Sequence, residues 1–332
     1  MLEAAARYRI YGLTLASEFD LAELIPVAGA DRAQEPDIRI RVERAVPGKT
    51  RALDWFMVFK LPTGAPALAC AKEPGGYRLR FPGLADFRVD HRGREIVCEA
   101  PEGLPPATIR HLLLDQVIPR TLGLLGIEAL HATAVLTPQG VCAFTGVTGV
   151  GKSTLAASFH LAGYPVLSDD CLVLSQDGNA ILATPGYPGV RLWDDAAAAL
   201  CVELENGPSV AHYSSKLRVL ADPRQLSCTR DRNTMARIYN LVATPETDEE
   251  RWTAGTIVEA IPAREALMSL VASVFPFDIT DRKVLARQFE FFERVATLVP
   301  IRRLYVPEDF SSLAAVRDAI FADLRASESG AT

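Results

Sequence analysis

Three groups of residues have types and spacings that could do chemistry. The first is Gly146-Val147-Thr148-Gly149-Val150-Gly151-Lys152-Ser153-Thr154, in which Gly146-x-x-x-x-Gly151-Lys152-Ser153 has the spacing of a phosphate-cradling loop. Glycines allow the backbone to turn successive N–H groups toward anionic oxygens. Lys152 would offset charge on a β- and γ-phosphate, and the Ser153 hydroxyl would ligate Mg²⁺. The second group is the acid pair Asp169-Asp170, which ends a short apolar run. Successive strand side chains face opposite ways, so the two acids should divide two tasks. One can hold Mg²⁺ and the other can take a proton from an incoming hydroxyl. The third is His131, which opens the run Leu130-His-Ala-Thr-Ala-Val-Leu136.

Particular elements must bring these residues together. Val141–Thr145 reads as a strand entering the loop, and Ser153–Leu161, rich in Ala and Leu, as a helix leaving it. A helix start there would add its positive dipole end to the anion site. Thr137-Pro-Gln-Gly140 is a turn between two β-prone runs, which predicts a hairpin. If Leu136 pairs with Val141, Ala134 pairs with Ala143, and His131 falls opposite Gly146 at the edge of the loop. Gly163-Tyr-Pro165 stops the helix, and Val166–Ser168 is a strand whose carboxyl end carries the two aspartates. In open α/β sheets, ligands gather at that end of the strands.

Leu130-His-Ala132, Gly146-Val-Thr-Gly-Val-Gly-Lys-Ser153 and Gly163-Tyr-Pro-Val-Leu-Ser-Asp-Asp170, in that order and at close spacing, resemble the catalytic domain of HPr kinase/phosphorylase. The likeness covers roughly residues 128 to 175. It implies an α/β P-loop kinase domain of the HPr kinase and phosphoenolpyruvate carboxykinase type. It also implies ATP- and Mg²⁺-dependent phosphorylation of a serine hydroxyl on a protein. By the same resemblance Asp169 is the general base, assisted by His131, while Lys152 and Ser153 are the lysine and serine of the loop. Asp170 is then left to hold Mg²⁺ together with Ser153. The overall layout looks more like HPr-kinase-related proteins of peptide natural-product pathways. The lasso-peptide branch of these proteins phosphorylates a serine near the precursor's C-terminus. A small-molecule kinase and a nucleotide-gated binding protein with slow ATP hydrolysis are the rival expectations.

The rest of the chain sets the frame. Residues 1–104 predict a β-rich, antiparallel accessory module. Within it Tyr8–Leu15, Asp37–Val42 and Tyr77–Phe81 alternate at period two, and Trp55–Leu61 is a more continuous strand. Residues 105–127 predict a helical bridge, kinked or ended by Pro119. Residues 128–326 form the kinase domain, and 327–332 a frayed tail. Arg191 could touch phosphate or form a surface ion pair. Lys216 or Arg218 could supply transition-state charge. Arg224, Arg230, Arg232 and Arg237 form a locally basic stretch that suits an acidic peptide or a plain exposed loop. Asp281–Leu298 predicts an amphipathic helix with Val284, Leu285, Phe289, Phe292, Val295 and Ala296 inward, and Phe310–Arg325 a closing helix with Leu313, Val316, Ile320 and Leu324 inward.

The composition excludes several classes. The 332 residues are 49% hydrophobic and 23% charged, ordinary values for a globular protein, and the net charge of −6 gives no general footing for nucleic acid. The six cysteines form no C-x-x-C pair, which disfavours a zinc ribbon or a redox dithiol, and buried thiols are expected. Neither a secretory leader nor a continuous apolar span is legible. A cytoplasmic enzyme without a membrane partner is therefore expected, with a homo-oligomer left open.

Overall fold

A computed structural model describes residues 5–27, 35–45, 53–61, 63–187, 189–200, 210–214, 216–219, 232–244, 257–307 and 309–328. The chain packs as two units. The first comprises Met1–Glu128, Val210–Tyr213 and Phe275–Arg287, and the second Ala129–Ser209, Ser214–Val274 and Gln288–Thr332. The helical stretch expected as a bridge, 105–127, lies within the first unit.

The first unit is built on a nine-stranded sheet: β1 (Ala6–Ile10), β2 (Leu13–Ser17), β3 (Ile25–Pro26), β4 (Ile38–Arg44), β5 (Trp55–Lys60), β6 (Pro66–Glu73), β7 (Gly76–Phe81), β8 (Ala85–Asp90) and β9 (Glu95–Ala100), in the order β3-β1-β2-β4-β9-β8-β7-β6-β5. The expected antiparallel sheet is in fact mixed, because β2 and β4, and β4 and β9, pair in parallel. The alternating run Tyr8–Leu15 is not one strand but a hairpin, with Ile10 paired to Leu13. Tyr11 (φ 54°) and Gly12 (φ 76°) both adopt the left-handed region, as a two-residue hairpin turn requires. Alternation survives such a turn, and this hid it: Tyr8, Ile10 and Leu15 are all buried.

Cross-strand neighbours Leu79, Phe87 and Cys98 are fully buried on one face of this sheet. Arg80 and Asp86, one rung along, form an ion pair at 2.8 Å on the other. The helical stretch contains α1 (Pro106–Leu112) and α2 (Ile118–Thr121) with a π-turn at Leu113–Val117 between them, then a 3₁₀ turn at Leu122–Leu125. Pro119 neither ends nor breaks it. The π-turn shifts the Ile118 N–H onto the Leu113 carbonyl, so the ladder passes the proline's missing donor.

The second unit holds β10 (Glu128–Leu130), β11 (Thr133–Thr137), β12 (Gly140–Thr145), β13 (Val166–Ser168), β14 (Leu172–Asp177), β15 (Ala180–Thr184), β18 (Asn233–Ala243), β19 (Val258–Ala260) and β20 (Ile301–Val306) in one sheet. A separate ribbon pairs β16 (Val190–Leu192) with β17 (Leu217–Val219). The sheet order is β10-β14-β15-β18-β12-β11-β13, with β20 on β18 and β19 on β20. β12, β18 and β20 are parallel, and β13 runs the same way because both it and β12 are antiparallel to β11.

Helices cover both faces, which explains why Val141–Phe144 is a continuous apolar run and not an alternating one. Cys142 and Phe144 point into a core shared with α3 (Lys152–Leu161), α4 (Asp194–Ala199) and the last helix, whose Val316, Ile320 and Leu324 are buried as their spacing predicts. Val141 and Ala143 point into the opposite core, with Ala266 and Leu270 of α5 (Ala263–Ala272) and Phe291, Phe292 and Val295 of α6 (Arg282–Leu298). The expected inner face of α6 is rotated: Leu285 and Phe289 are exposed, and Phe291 joins Phe292 and Val295 inside. The last helix, α7 (Leu313–Glu328), is preceded by a 3₁₀ turn at Phe310–Ser312.

Arg237, placed by the sequence in a basic loop, is buried on β18 and pairs with Asp323 at 3.1 Å. Arg232 is exposed, while Arg224 and Arg230 lie outside the described residues. Cys70, Cys98, Cys142 and Cys171 are buried thiols, and Cys201 and Cys228 also lie outside.

Candidate functional site

The carboxyl ends of β12, β13 and β18 and the start of β11 meet at one edge of the second sheet. The hairpin β11–β12 has the register counted from the sequence, Leu136 to Val141 and Ala134 to Ala143. Its pairing ends at Thr133–Phe144, so His131 extends past the strand, with its main-chain N–H on the Ser273 carbonyl at 2.5 Å.

The loop after β12 has the backbone of an anion cradle. Gly146, Gly149 and Gly151 take φ values of 134°, 89° and 98°. A Cβ on Gly146 would lie 2.7 Å from the Leu241 carbonyl oxygen, so the loop can lie this close to β18 only with glycine there. Gly151 starts α3, and no side chain caps the helix. Its first N–H groups therefore point outward beside the exposed residues Val147, Thr148 and Gly149. Lys152 is buried, and its ammonium donates to the carbonyls of Gly146 (2.9 Å) and Val147 (3.1 Å). Burial lowers the Lys152 pKa and the nearby Lys216 charge lowers it further, against the pull of Asp170 and Asp169.

Asp169 follows β13 and is 6% exposed. Its Oδ1 accepts from Ser153 Oγ at 2.8 Å and from Thr133 Oγ1 at 2.7 Å. Its Oδ2 accepts from the Arg191 main-chain N–H at 2.9 Å. Asp170 takes a left-handed backbone, φ 66°, a conformation that costs a non-glycine residue of order 1 kcal/mol and turns its carboxylate another way from its neighbour's. That carboxylate is 24% exposed and pairs with Arg191 Nη2 at 2.5 Å. The accessible acid is thus Asp170, and the acid tied to the loop serine is Asp169. The backbone reversal at 170 sets the two carboxylates in these different surroundings.

Arg191 is 3% exposed and spans both acids, with Nε 3.6 Å from Asp169 and Nη2 3.3 Å from the Asp169 carbonyl. Its ion pairs are buried and not at the surface. His131 Nδ1 lies 2.9 Å from the Asp170 carbonyl oxygen. A carbonyl only accepts, so Nδ1 carries the proton and the neutral ring keeps its lone pair on Nε2. Burial lowers the His131 pKa, partly opposed by the Asp170 charge.

The ribbon brings in the other basic candidates. Lys216 has its ammonium 5.0 Å from the centre of the Trp193 ring, and Arg218 is the register partner of Arg191. His131, Lys152, Ser153, Asp169, Asp170 and Arg191 therefore form one cluster, with Lys216 close enough for its charge to act on Lys152. Thr133 was missed by the sequence reading. Its signal was its place two residues beyond His131, at the start of the strand. Asn240, a lone amide in the apolar run Ile238–Val242, was missed as well.

No set of three or more His, Cys, Asp or Glu side chains is placed to hold a metal among the described residues. The oxygens of Ser153 and Asp169, 2.8 Å apart, are a donor pair of the kind that Mg²⁺ takes from a protein when phosphates and water complete its shell. A cavity of about 620 Å³ opens beside the loop, between Gly146–Val150, His131, the end of β18 and the last turn of α5. No helix among the described residues is long and apolar enough to cross a membrane.

No protein-family model matches the chain, and no curated protein matches it. Among solved structures, it is similar to the Hpr(Ser) kinase/phosphatase from Coxiella burnetii. The identity is 12%, the match covers 60% of this chain and 98% of that one, and the TM-score is 0.32.

Proposed function

We propose that the second unit is an ATP-dependent kinase that transfers a γ-phosphoryl group to a serine hydroxyl of a peptide or protein. The observation that carries the proposal is the hydrogen bond from the loop serine, Ser153, to Asp169, with a second acid and a histidine alongside. The overall layout of the sequence, which looks like HPr-kinase-related proteins of peptide natural-product pathways, favours a ribosomally made peptide, such as a lasso-peptide precursor, as acceptor.

The N–H groups of Val147–Thr154 cradle the phosphates, and Lys152 moves from the Gly146 and Val147 carbonyls to their oxygens. Ser153 and Asp169 would hold Mg²⁺, which would supply positive charge against the phosphates. Asp170 accepts the proton of the acceptor hydroxyl as its oxygen bonds to the γ-phosphorus. The bond from that phosphorus to the bridging oxygen breaks, and ADP leaves. Arg191 pairs with the Asp170 carboxylate and holds it in position before transfer. His131, neutral at pH 7, orders the Asp170 main chain through Nδ1. Lys216 adds positive charge near the transferred group.

Three variants test this. Asp170→Asn should keep magnesium-nucleotide affinity within about twofold and lower kcat by about 10²- to 10⁴-fold. Asp169→Asn should weaken magnesium-dependent nucleotide binding in calorimetry, and Lys152→Ala should abolish transfer. Near wild-type turnover by Asp170→Asn would overturn the assignment of the base.

A further inference from the structure

The cavity beside the loop bears on what the acceptor is, given the kinase reading above. Its position is set by Lys152. The ammonium rests on the Gly146 and Val147 carbonyls, which marks that end of the loop as the β,γ-phosphate end. The cavity takes in Gly146 to Val150 and none of residues 151–154, so it opens on the side from which an acceptor must approach.

Its walls carry no aspartate, glutamate, lysine or arginine among the described residues. Val147, Val150, Leu241 and Val242 supply apolar surface, and Asn240 with the serines of α5 supplies neutral hydrogen-bonding groups. A cationic group entering there would lose water without gaining a partner, and an anionic one would find only the loop N–H groups that the nucleotide's phosphates occupy.

The third feature is a strand edge. β12 pairs with β18 only as far as Thr145–Asn240, and Gly146 lies against the Leu241 carbonyl, whereas β18 runs on through Val242 and Ala243, held there by β20 on its other side. Leu241, Val242 and Ala243 line the cavity. A strand edge with one neighbour takes an extended chain by main-chain hydrogen bonding. A compact metabolite cannot use such an edge.

We infer that the acceptor hydroxyl is presented by an extended peptide segment whose residues on either side of the serine are uncharged. Selection works by exclusion of charge and by strand pairing.

The test uses the full chain, Mg²⁺-ATP and three unstructured peptides with a central serine, flanked by Ala and Val, by Asp, or by Lys. ADP release and the mass of the peptide are the readouts. The neutral peptide should have a kcat/KM at least about tenfold above both charged ones, at low and at high salt. N-methylation of its backbone beside the serine should lower kcat/KM by a similar factor. Ala272→Asp, which places a carboxylate in the cavity wall, should shift the preference to the Lys-flanked peptide. Equal turnover of all three peptides, or of free serine, would overturn the inference and leave the kinase standing. So would an Ala272→Asp variant that loses magnesium-nucleotide affinity about tenfold with peptide preference unchanged, because the cavity would then hold the nucleoside. No phosphorylation of any peptide, with nucleotide binding intact, would remove the peptide-kinase reading itself.

Discussion

Arg191 sits between two carboxylates and has almost no water. Removing it strands two carboxylates in a poorly hydrated place, a loss of about 3–5 kcal/mol for a broken buried pair. Arg191→Met should therefore lower stability to denaturant by that order; near wild-type stability would show that Arg191 is not the clamp. Arg191→Lys keeps the charge but not the planar fork, and should recover part of the stability. The resemblance placed Asp169, Asp170 and His131 by number, and hairpin counting put His131 near the loop. The clamp was not legible. Nothing in Gly189-Val-Arg-Leu-Trp193 shows that an arginine after a Gly- and Pro-rich turn folds inward. The different surroundings of the two acids were equally hidden, because a strand pattern cannot reveal that Asp170 leaves the extended conformation.

At the scale of elements, the loop depends on a close approach of two backbones. Gly146→Ala would force a Cβ to within 2.7 Å of the Leu241 carbonyl at a φ that alanine avoids. The expected result is a loss of at least about 2 kcal/mol in thermal or chemical denaturation, with a further loss of nucleotide affinity. Gly149→Ala meets no neighbour and strains only its own φ, so its stability cost should be smaller. Elements with a strong local signature were legible: the hairpin β11–β12, the loop helix α3, and the inner face of α7. Those decided by partners distant in sequence were not. The parallel pairing of β2, β4 and β9 has no turn to announce it. The π-turn beside Pro119 resolves a backbone conflict that sequence alone would settle by ending the helix. In α6 the apolar residues outnumber those one face can hold, and packing chose Phe291 over Leu285 and Phe289.

At the scale of the molecule, acid should act on the two units at different pH. In the second unit His131 has a lowered pKa, so the unfolded chain takes up a proton that the folded one refuses. Stability there should fall as pH drops below about 6.5. In the first unit burial pushes the Asp278 carboxyl up, but hydrogen bonds from Thr280, Lys72 and Tyr77 outweigh it and hold the group below the usual carboxylate range. Its contribution is complete above the ordinary aspartate value and is lost only as pH falls through the lower folded one. Melting followed at Trp193 should therefore respond to mild acid before melting followed at Trp55. β18 adds a further consequence. It alone touches β15, β12 and β20, so no partial opening of the second sheet can release its middle. In deuterium labelling, the amides of Ile238 to Leu241 should be the last to exchange, and their rate would gauge the stability of that whole unit.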